Sequence, residues 1–508
     1  AVSRIKKAID NNEKILIYGD YDVDGTTAVA LIYTYLKNFC NKKKIAFYIP
    51  DRYEEGYGIS YKGIDYAADN GFQLVIVLDC GIKAVERIEY ANSRNVDFII
   101  CDHHRPGDKI PDAVAVLDSK RIDCQYPYKE LSGCGVGFKL VTALAKSMGR
   151  PIEETYELLD LVAISIAADI VPITGENRVL AYYGLRLLNS NPRPGIEAVL
   201  QHANIHRRNE LSSEDMEENC VLERELTISD LVFLIGPRIN AAGRIEKASD
   251  SVRLLLANNK EHANKLADSI NDLNAKRREF DNKITEEALK MIESDETLKT
   301  KSTVIFNENW HKGVIGIVAS RLTDTYYRPT IVLTRSNNLI TGSARSIKNF
   351  DIYDAIDDCS DLLEHFGGHK YAAGLSLKPE NLQAFSERFE KYVSEHINDE
   401  ELVPELNVDI KIDFRDINPK FVRILKQFAP FGPGNPSPVF LTTNVIDTGY
   451  SRAVGNHKHL KLCVKQYGYE EQCFSGIAFQ KGELFNRIHS LEPFAICYYI
   501  EENFWQGK

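Results

Sequence analysis

The sequence predicts an α/β protein: a doubly wound, mostly parallel sheet, then a long connecting helix, a second and smaller α/β domain, and a small all-β domain. Three observations predict it. Over residues 1 to about 120, the strand-like runs KILIYGD, KIAFYIP, LVIVLDC and DFIICDHH alternate with helix-like runs such as AVERIEYANSRN, which is the βαβ pattern of a parallel sheet. From 257 to about 294 a Lys- and Glu-rich stretch keeps its apolar residues near helical spacing, as one extended helix bridging two lobes does. Short β-type runs follow residue 405, namely NVDIKIDF, PVFLTTNVIDT, HLKLCVKQYG and FAICYYIEENFW, in the manner of a small β domain.

Taken in order, KILIYGD is short and rich in Ile and Leu and reads as a buried strand. The run after it, TTAVALIYTYLKNF, is long and apolar at helical spacing, with Thr26 or Thr27 placed to cap it. Residues 130 to 205 read as helical, through KLVTALAKSMG and YELLDLVAISIAADI, and the polar segment RRNELSSEDMEENCVLERELT reads as surface or linker. A second α/β segment covers about 302 to 395. The expected domains are 1–205, a linker and long helix over 206–300, then 301–398 and 399–508. A length of 508 residues accommodates three or four domains of ordinary size, and no solenoid repeat or low-complexity tract interrupts them.

Composition narrows the class. With 44% hydrophobic and 27% charged residues the chain reads as an ordinary soluble globular protein. The start, AVSRIKKAIDNNEK, has no apolar core, and no run reaches bilayer length. Ten cysteines without a CxxC pair favour free thiols in a reducing cytoplasm over disulfides or structural zinc. A formal charge of −11 counts mildly against a nucleic-acid partner, but a carboxylate metal site adds negative charge and binding needs only a local basic groove.

The chemistry begins at GDYDVDG. Asp20, Asp22 and Asp24 alternate as in an EF-hand, yet the twelfth position counted from Asp20 is Leu31, which cannot close a calcium cage, and the flanks are strand and helix. Two further strand-like runs also end in acids, at Asp79 and Asp102, with His103 and His104 directly after. Asp169 stands where a helical pattern stops before Pro172. In a doubly wound sheet, ligands collect at the carboxyl ends of strands. Each acid alone is an ordinary turn or cap residue, and Cys80 and Cys101 beside them read as packing rather than as nucleophiles. The joint pattern differs: carboxylates with imidazole suit Mn²⁺ or Mg²⁺, and two such ions serve phosphoryl transfer and hydrolysis.

The ordered set GDYDVDGTTA, LDCG, CDHHRPG and AADIVP resembles the DHH phosphoesterase family. PRINAAGR, WHKGVIGIVASRL, GSARS and GGHKYAAG are similar to its RecJ branch and DHH-associated domain, and FAPFGPGNPSPVF with HLKL resembles the OB-type domain of that branch. The resemblance implies a single-strand-specific DNA exonuclease working 5′→3′ and releasing 5′-mononucleotides with two Mn²⁺ or Mg²⁺ ions. It implies metal ligands at Asp20, Asp22, Asp24, Asp79, His103 and Asp169, with Asp79 bridging both ions. His104 would face the scissile phosphate and Asp102 would orient the imidazoles. Water activated between the ions would attack phosphorus in line with the departing 3′ oxygen. Arg244 and Arg345 are the expected phosphate clamps, with Ser343 and His311 beside them. Gly367, Gly368 and His369 would let backbone amides approach the terminal nucleotide, although GGHKYAAG also reads as a helix-start turn. Trp310 is a candidate stacking platform, against the usual core role of a lone Trp.

Two departures carry expectations. Tyr18 and Gly19 stand where many members have a His, implying an ion with fewer protein ligands and more water. The chain starts almost at the first strand and stops at ENFWQGK, short of the family's usual final strand, so trimmed ends with weaker DNA binding or lower stability are expected. The family implies a RecQ-type helicase and the single-strand binding protein as partners and a monomeric state. The competing readings are a DHH-type oligoribonuclease or cyclic-dinucleotide phosphodiesterase, a pyrophosphatase, and a non-catalytic nucleic-acid-binding scaffold. The extra β domain favours a longer polymer, and the intact acids disfavour a scaffold. No GxxxxGK[ST] occurs, which removes a P-loop enzyme.

Overall fold

The computed structural model describes residues 1–208, 220–295, 300–490 and 492–502. The chain divides into two compact units, Ala1–Pro404 and Glu405–Lys508.

The first unit opens with five parallel strands: β1 (Ile15–Gly19), β2 (Ile45–Tyr48), β3 (Leu74–Leu78), β4 (Asp97–Cys101) and β5 (Ala115–Leu117), in the order β2-β1-β3-β4-β5. Every residue of β1 and β3 is buried, which is why both read as unbroken apolar runs. Gly19 pairs with Leu78, Leu78 with Cys101, and Cys101 with Leu117. The next residues along, Asp20, Asp79, Asp102 and Asp118, therefore leave the sheet in one row. The chain runs outward in opposite directions from β1 and β3, so this row sits at the topological switch point, where such sheets bind ligands.

Helices Val23–Leu36, Gly133–Ser147 and Leu159–Ala168 cover one face of the sheet, and Tyr61–Asp69 and Val85–Ser93 the other. The first of these is capped by Asp22, whose side chain accepts from the Gly25 amide. Thr26 and Thr27 lie inside the helix and donate back to the carbonyls of Asp22 and Val23, so the expected threonine cap is corrected: the acid is the better acceptor and sits at the extended residue before the helix. Of the segment 207–227, residues 209–219 lie outside the described residues. Its end is core rather than surface, because Cys220, Leu222 and Leu226 are buried against the first lobe.

The long helix is Lys260–Ser294, 35 residues and roughly 50 Å at 1.5 Å per residue. Its first half packs Ala263, Ala267, Ile270 and Leu273 into the first lobe's core. Its second half packs Ile284, Ala288 and Ile292 against helix Ile315–Tyr326. Between them, buried Asp281 pairs with Arg277 at 3.5 Å and Arg321 at 2.8 Å. The second lobe is a mixed sheet, ordered β6-β7-β8-β10-β9, of β6 (Thr303–Phe306), β7 (Thr330–Ser336), β8 (Leu339–Arg345), β9 (Leu363–His369) and β10 (Ala372–Leu377). GGHKYAAG forms the β9–β10 hairpin, not the helix start that its glycines also suggested.

The second unit is a six-stranded sheet of β11 (Ile410–Lys411), β12 (Phe440–Asp447), β13 (Arg452–Val454), β14 (His459–Gln466), β15 (Tyr469–Ala478) and β16 (Phe494–Tyr498) around Phe414, Phe440, Val445 and Val464. It also carries an amphipathic helix, Pro419–Lys426, whose Phe421 and Leu425 pack on that core. The end of the last β-type run, 503–505, lies outside the described residues, as do 506–508. All ten cysteines are free, and among the described residues no helix is long and apolar enough to cross a membrane.

Candidate active site

Asp20, Asp24 and Asp79 are almost fully buried at the switch point. Asp79 has φ +60°, a conformation that costs a non-glycine residue energy and persists where surrounding structure enforces it. Its amide donates to the Cys101 carbonyl at 2.9 Å, and its carbonyl accepts from the Tyr57 hydroxyl at 3.2 Å. A Cβ on Gly133 would lie 2.6 Å from Asp79 Oδ1, so only glycine lets the helix Gly133–Ser147 start against this carboxylate. That helix start holds Asp24: the amides of Gly133 and Cys134 donate to it at 2.6 and 2.7 Å, and Ser165 Oγ at 2.7 Å, as helix N-termini hold anions.

His103 joins the acids. Its Nε2 lies 3.1 Å from Asp79 Oδ1, 3.6 Å from Asp169 Oδ2 and 3.7 Å from Asp24 Oδ2. Asp169 arrives at the C-terminus of helix Leu159–Ala168. Asp102 has a different part. It accepts from His104 Nδ1 at 2.7 Å, from the His103 amide at 2.7 Å and from the Ile82 amide at 2.8 Å, so it orients the two imidazoles. His104 is further braced by the Tyr57 hydroxyl, 3.3 Å from Nδ1, and its ring lies nearly parallel to that of His369 at 6.4 Å.

Burial pushes the Asp20, Asp79 and Asp169 carboxyls well above the carboxylate range, and neighbouring acids push further: Asp22 on Asp20, and Asp24 on both Asp79 and Asp169. Asp24 is pushed up to about 6 by burial and Asp22, against the hydrogen bonds from Ser165, Cys134 and Gly133. Burial, seconded by His104, brings His103 down to about 3, leaving a neutral imidazole. Burial raises Asp102 too, but the hydrogen bond and charge of His104 win and hold it at about 2. Such a cluster is costly without cations. Asp20 Oδ1, Asp79 Oδ1 and His103 Nε2 are buried with no hydrogen-bond partner. Ligand atoms of three sets, Asp20–Asp22–Asp79, Asp24–His103–Asp169 and Asp79–His103–His104, each lie within 4.8 Å of one another. Carboxylates, a neutral imidazole and unpartnered oxygens fit two hard divalent ions, with Asp79 in two of the sets.

A second cluster has the opposite sign. Arg244 lies in the last turn of helix Gly236–Ile245, and its Nη1 donates to the Gly313 carbonyl at 2.9 Å. Arg345, on β8, donates to Ser343 Oγ at 2.9 Å and Ser320 Oγ at 3.1 Å. The Arg52 guanidinium lies 4.1 Å from the centre of the Tyr21 ring, one residue from Asp20. None of the three forms an ion pair with a carboxylate among the described residues. Burial, with Arg52, Arg277 and Arg345 adding repulsion, brings Arg244 down to about 10, and burial lowers Arg345.

The structure thus brings Asp20, Asp22, Asp24, Asp79, His103, His104 and Asp169 together, and separately Arg244, Arg345 and Ser343. Trp310 is a correction. It is 4% exposed, packs with Ile284, Ile305 and Val332, and its indole donates to Glu287 at 2.8 Å, so it offers no face to a base. His311 accepts from the Gly313 amide at 3.1 Å and its ring packs between Phe280 and Tyr53. Gly368, at φ +151°, is required by the hairpin itself, since a Cβ there would lie 2.4 Å from the Ala372 carbonyl, whereas Gly367 fronts open space. Sequence reasoning missed Arg52, Tyr57 and Ser165. Arg52 closely follows strand β2, so the strand-end argument could have found it; Tyr57 and Ser165 carry no such signal.

Residues 14–166 match the DHH family, N-terminal domain, residues 299–395 the DHHA1 domain and residues 408–508 the RecJ OB domain. Over its whole length the chain is 36% identical to the single-stranded-DNA-specific exonuclease RecJ of Bacillus subtilis, spanning 61% of that protein. It is 33% identical to that of Salmonella typhimurium, spanning 88%. The crystal structure of Thermus thermophilus RecJ in complex with Mn²⁺ superposes with a TM-score of 0.82 at 26% identity, over 100% of this chain and 69% of that one, and the Mg²⁺ complex with 0.76 at 25% identity, over 100% and 67%. A two-ion donor set at the switch point, the three matched domains and full-length identity lead to one placement: the chain belongs to the RecJ family of DHH proteins.

Proposed function

We propose that the protein is a metal-dependent exonuclease that degrades single-stranded DNA from the 5′ end to 5′-mononucleotides, in DNA repair and recombination. The observation that carries this reading is the pairing of two clusters: buried carboxylates with unpartnered oxygens, and arginines that form no ion pair among the described residues. They adjoin one another, because Tyr21, between Asp20 and Asp22, lies under Arg52, and a Cβ on Gly243 would meet the Tyr21 carbonyl at 2.6 Å. A metal-bound phosphodiester would satisfy both.

In this reading Asp20, Asp22, Asp24, Asp79, His103 and Asp169 hold two Mn²⁺ or Mg²⁺ ions. When bound, the ions supply the charge that activates water and offsets the phosphate oxygens. The chain's own groups do the rest. Asp102 fixes the tautomer and direction of His104, which faces the scissile phosphate. Arg244, Arg345 and Arg52, with Ser343, clamp substrate phosphate, and His369 approaches the terminal nucleotide from the second lobe. The working division is a phosphoesterase domain over 1–205, a connecting segment to 300, a nucleic-acid-binding domain over 301–398 and an OB-type domain from 399. The family relation supports a cytoplasmic monomer working with a RecQ-type helicase and a single-strand binding protein.

The test uses single-stranded DNA labelled at the 5′ or the 3′ end, with Mn²⁺ and Asp79→Ala as control. Immediate release of labelled mononucleotide from the 5′ end alone, absent in the control, is the expected result. Cleavage of dinucleotides with no release from either end of the long strand would move the assignment to a small-substrate phosphodiesterase.

A further inference from the structure

We infer that Tyr53, exposed on the first lobe, is a positioning residue for Arg244: its hydroxyl sets the guanidinium that grips substrate phosphate. The inference rests on the phosphate-clamp reading above. Arg244 lies in the last turn of its helix, where backbone carbonyls have no intrahelical partner. The Tyr53 hydroxyl donates to the Arg244 carbonyl. From the other lobe, the Gly313 carbonyl receives Arg244 Nη1 at 2.9 Å. One residue is therefore held at its backbone by the first lobe and at its side chain by the second.

The joint is close-fitting. A Cβ on Gly313 would lie 2.5 Å from the Arg244 carbonyl and 2.7 Å from the Tyr53 hydroxyl. The Gly313 amide donates to His311 Nδ1 at 3.1 Å, and the His311 ring lies flat on Phe280, 5.1 Å between centres at 8°, with Tyr53 edge-on at 6.2 Å. Tyr53 is itself fixed by the turn before it, where Asp51 Oδ1 accepts the Tyr53 amide at 2.8 Å and Glu55 Oε1 the Asp51 amide at 2.9 Å. Beyond the Gly313 contact, the Arg244 guanidinium has no partner among the described residues, so its remaining N–H groups stay available to an anion. At 41% exposure, the Tyr53 ring adds little burial. Its hydroxyl is the part that reaches Arg244.

The experiment is a double-mutant cycle of Tyr53→Phe and Arg244→Gln, read as steady-state nucleotide release from a single-stranded oligodeoxynucleotide with Mn²⁺. Tyr53→Phe is expected to raise KM about three- to tenfold, the worth of one hydrogen bond, with kcat within about twofold. In the Arg244→Gln background the same substitution is expected to change KM no further, because residues acting through one another are non-additive. A general loosening of the fold would not give that loss of effect. Wild-type KM in Tyr53→Phe, or effects that multiply in full in the double variant, overturns the role of Tyr53 and leaves the exonuclease reading standing. Absence of nucleotide release by the wild-type chain overturns that reading and the inference together.

Discussion

The acid cluster and the arginine cluster are built oppositely. Each gathers like charges, but the acids hang mainly on consecutive ends of one parallel sheet, with two central strands wholly buried. The arginines come from a loop after β2, the end of a helix and a strand of the other lobe, and they meet only when both lobes are in place. One centre belongs to a single domain's architecture; the other is a property of the joint. The first should fail all at once, the second by degrees.

The largest effect tests the first half of that statement. Asp79→Ala is expected to lower nucleotide release on the order of 10³-fold, the scale on which groups that stabilise transition-state charge act, and to abolish calorimetric Mn²⁺ binding. Retained binding would show that Asp79 is not shared between ions. Next comes metal withdrawal. At about 100 times its Kd each ion adds roughly 2.7 kcal/mol, so the thermal midpoint should fall when EDTA replaces Mn²⁺. The sign with pH follows from the raised carboxyls. Asp20, Asp24, Asp79 and Asp169 are stabilising while protonated, below the ordinary carboxylate pKa near 4. That contribution is lost as pH rises through their folded values, about 6 for Asp24. The metal-free chain should therefore melt lower at pH 7 than at pH 5, and the Mn²⁺ increment should grow over the same window. An increment independent of pH would break the account.

Smaller effects probe the joint. Arg345→Gln is expected to raise KM about tenfold, keep kcat and reduce the salt slope of binding by about 1, the signature of one lost phosphate contact. An unchanged slope would remove Arg345 from the clamp. Trp310→Phe is the smallest change. Losing the bond to Glu287 should cost about 1 kcal/mol of stability and leave the salt slope alone. Altered affinity for DNA in that variant would restore Trp310 to the substrate path.

The same contrast explains what could be read beforehand. The acids were legible because strand ends repeat a pattern along the chain, and parallel register turns that pattern into a row. The long helix was legible from its spacing. The joint was not. The resemblance of PRINAAGR and GSARS singles out Arg244 and Arg345, but their meeting with Arg52 depends on segments joined only by tertiary packing, and no periodicity records that Gly313 sits under Tyr53. Trp310 misled for a related reason: an aromatic next to His311 looks available until the helix Lys260–Ser294 is laid over it. Asp22 shows competition within one motif, since it caps a helix while standing among prospective ligands, and Thr26 and Thr27, which the sequence also offers as caps, turn back to helix carbonyls.

The buried central strands have one more consequence. Amides of β1 and β3 lie where hydrogen exchange requires the whole domain to open. The residues that follow them, Asp20 and Asp79, inherit that protection. The spacing of the carboxylates is thereby tied to the two wholly buried strands of one domain and not to the joint between the lobes.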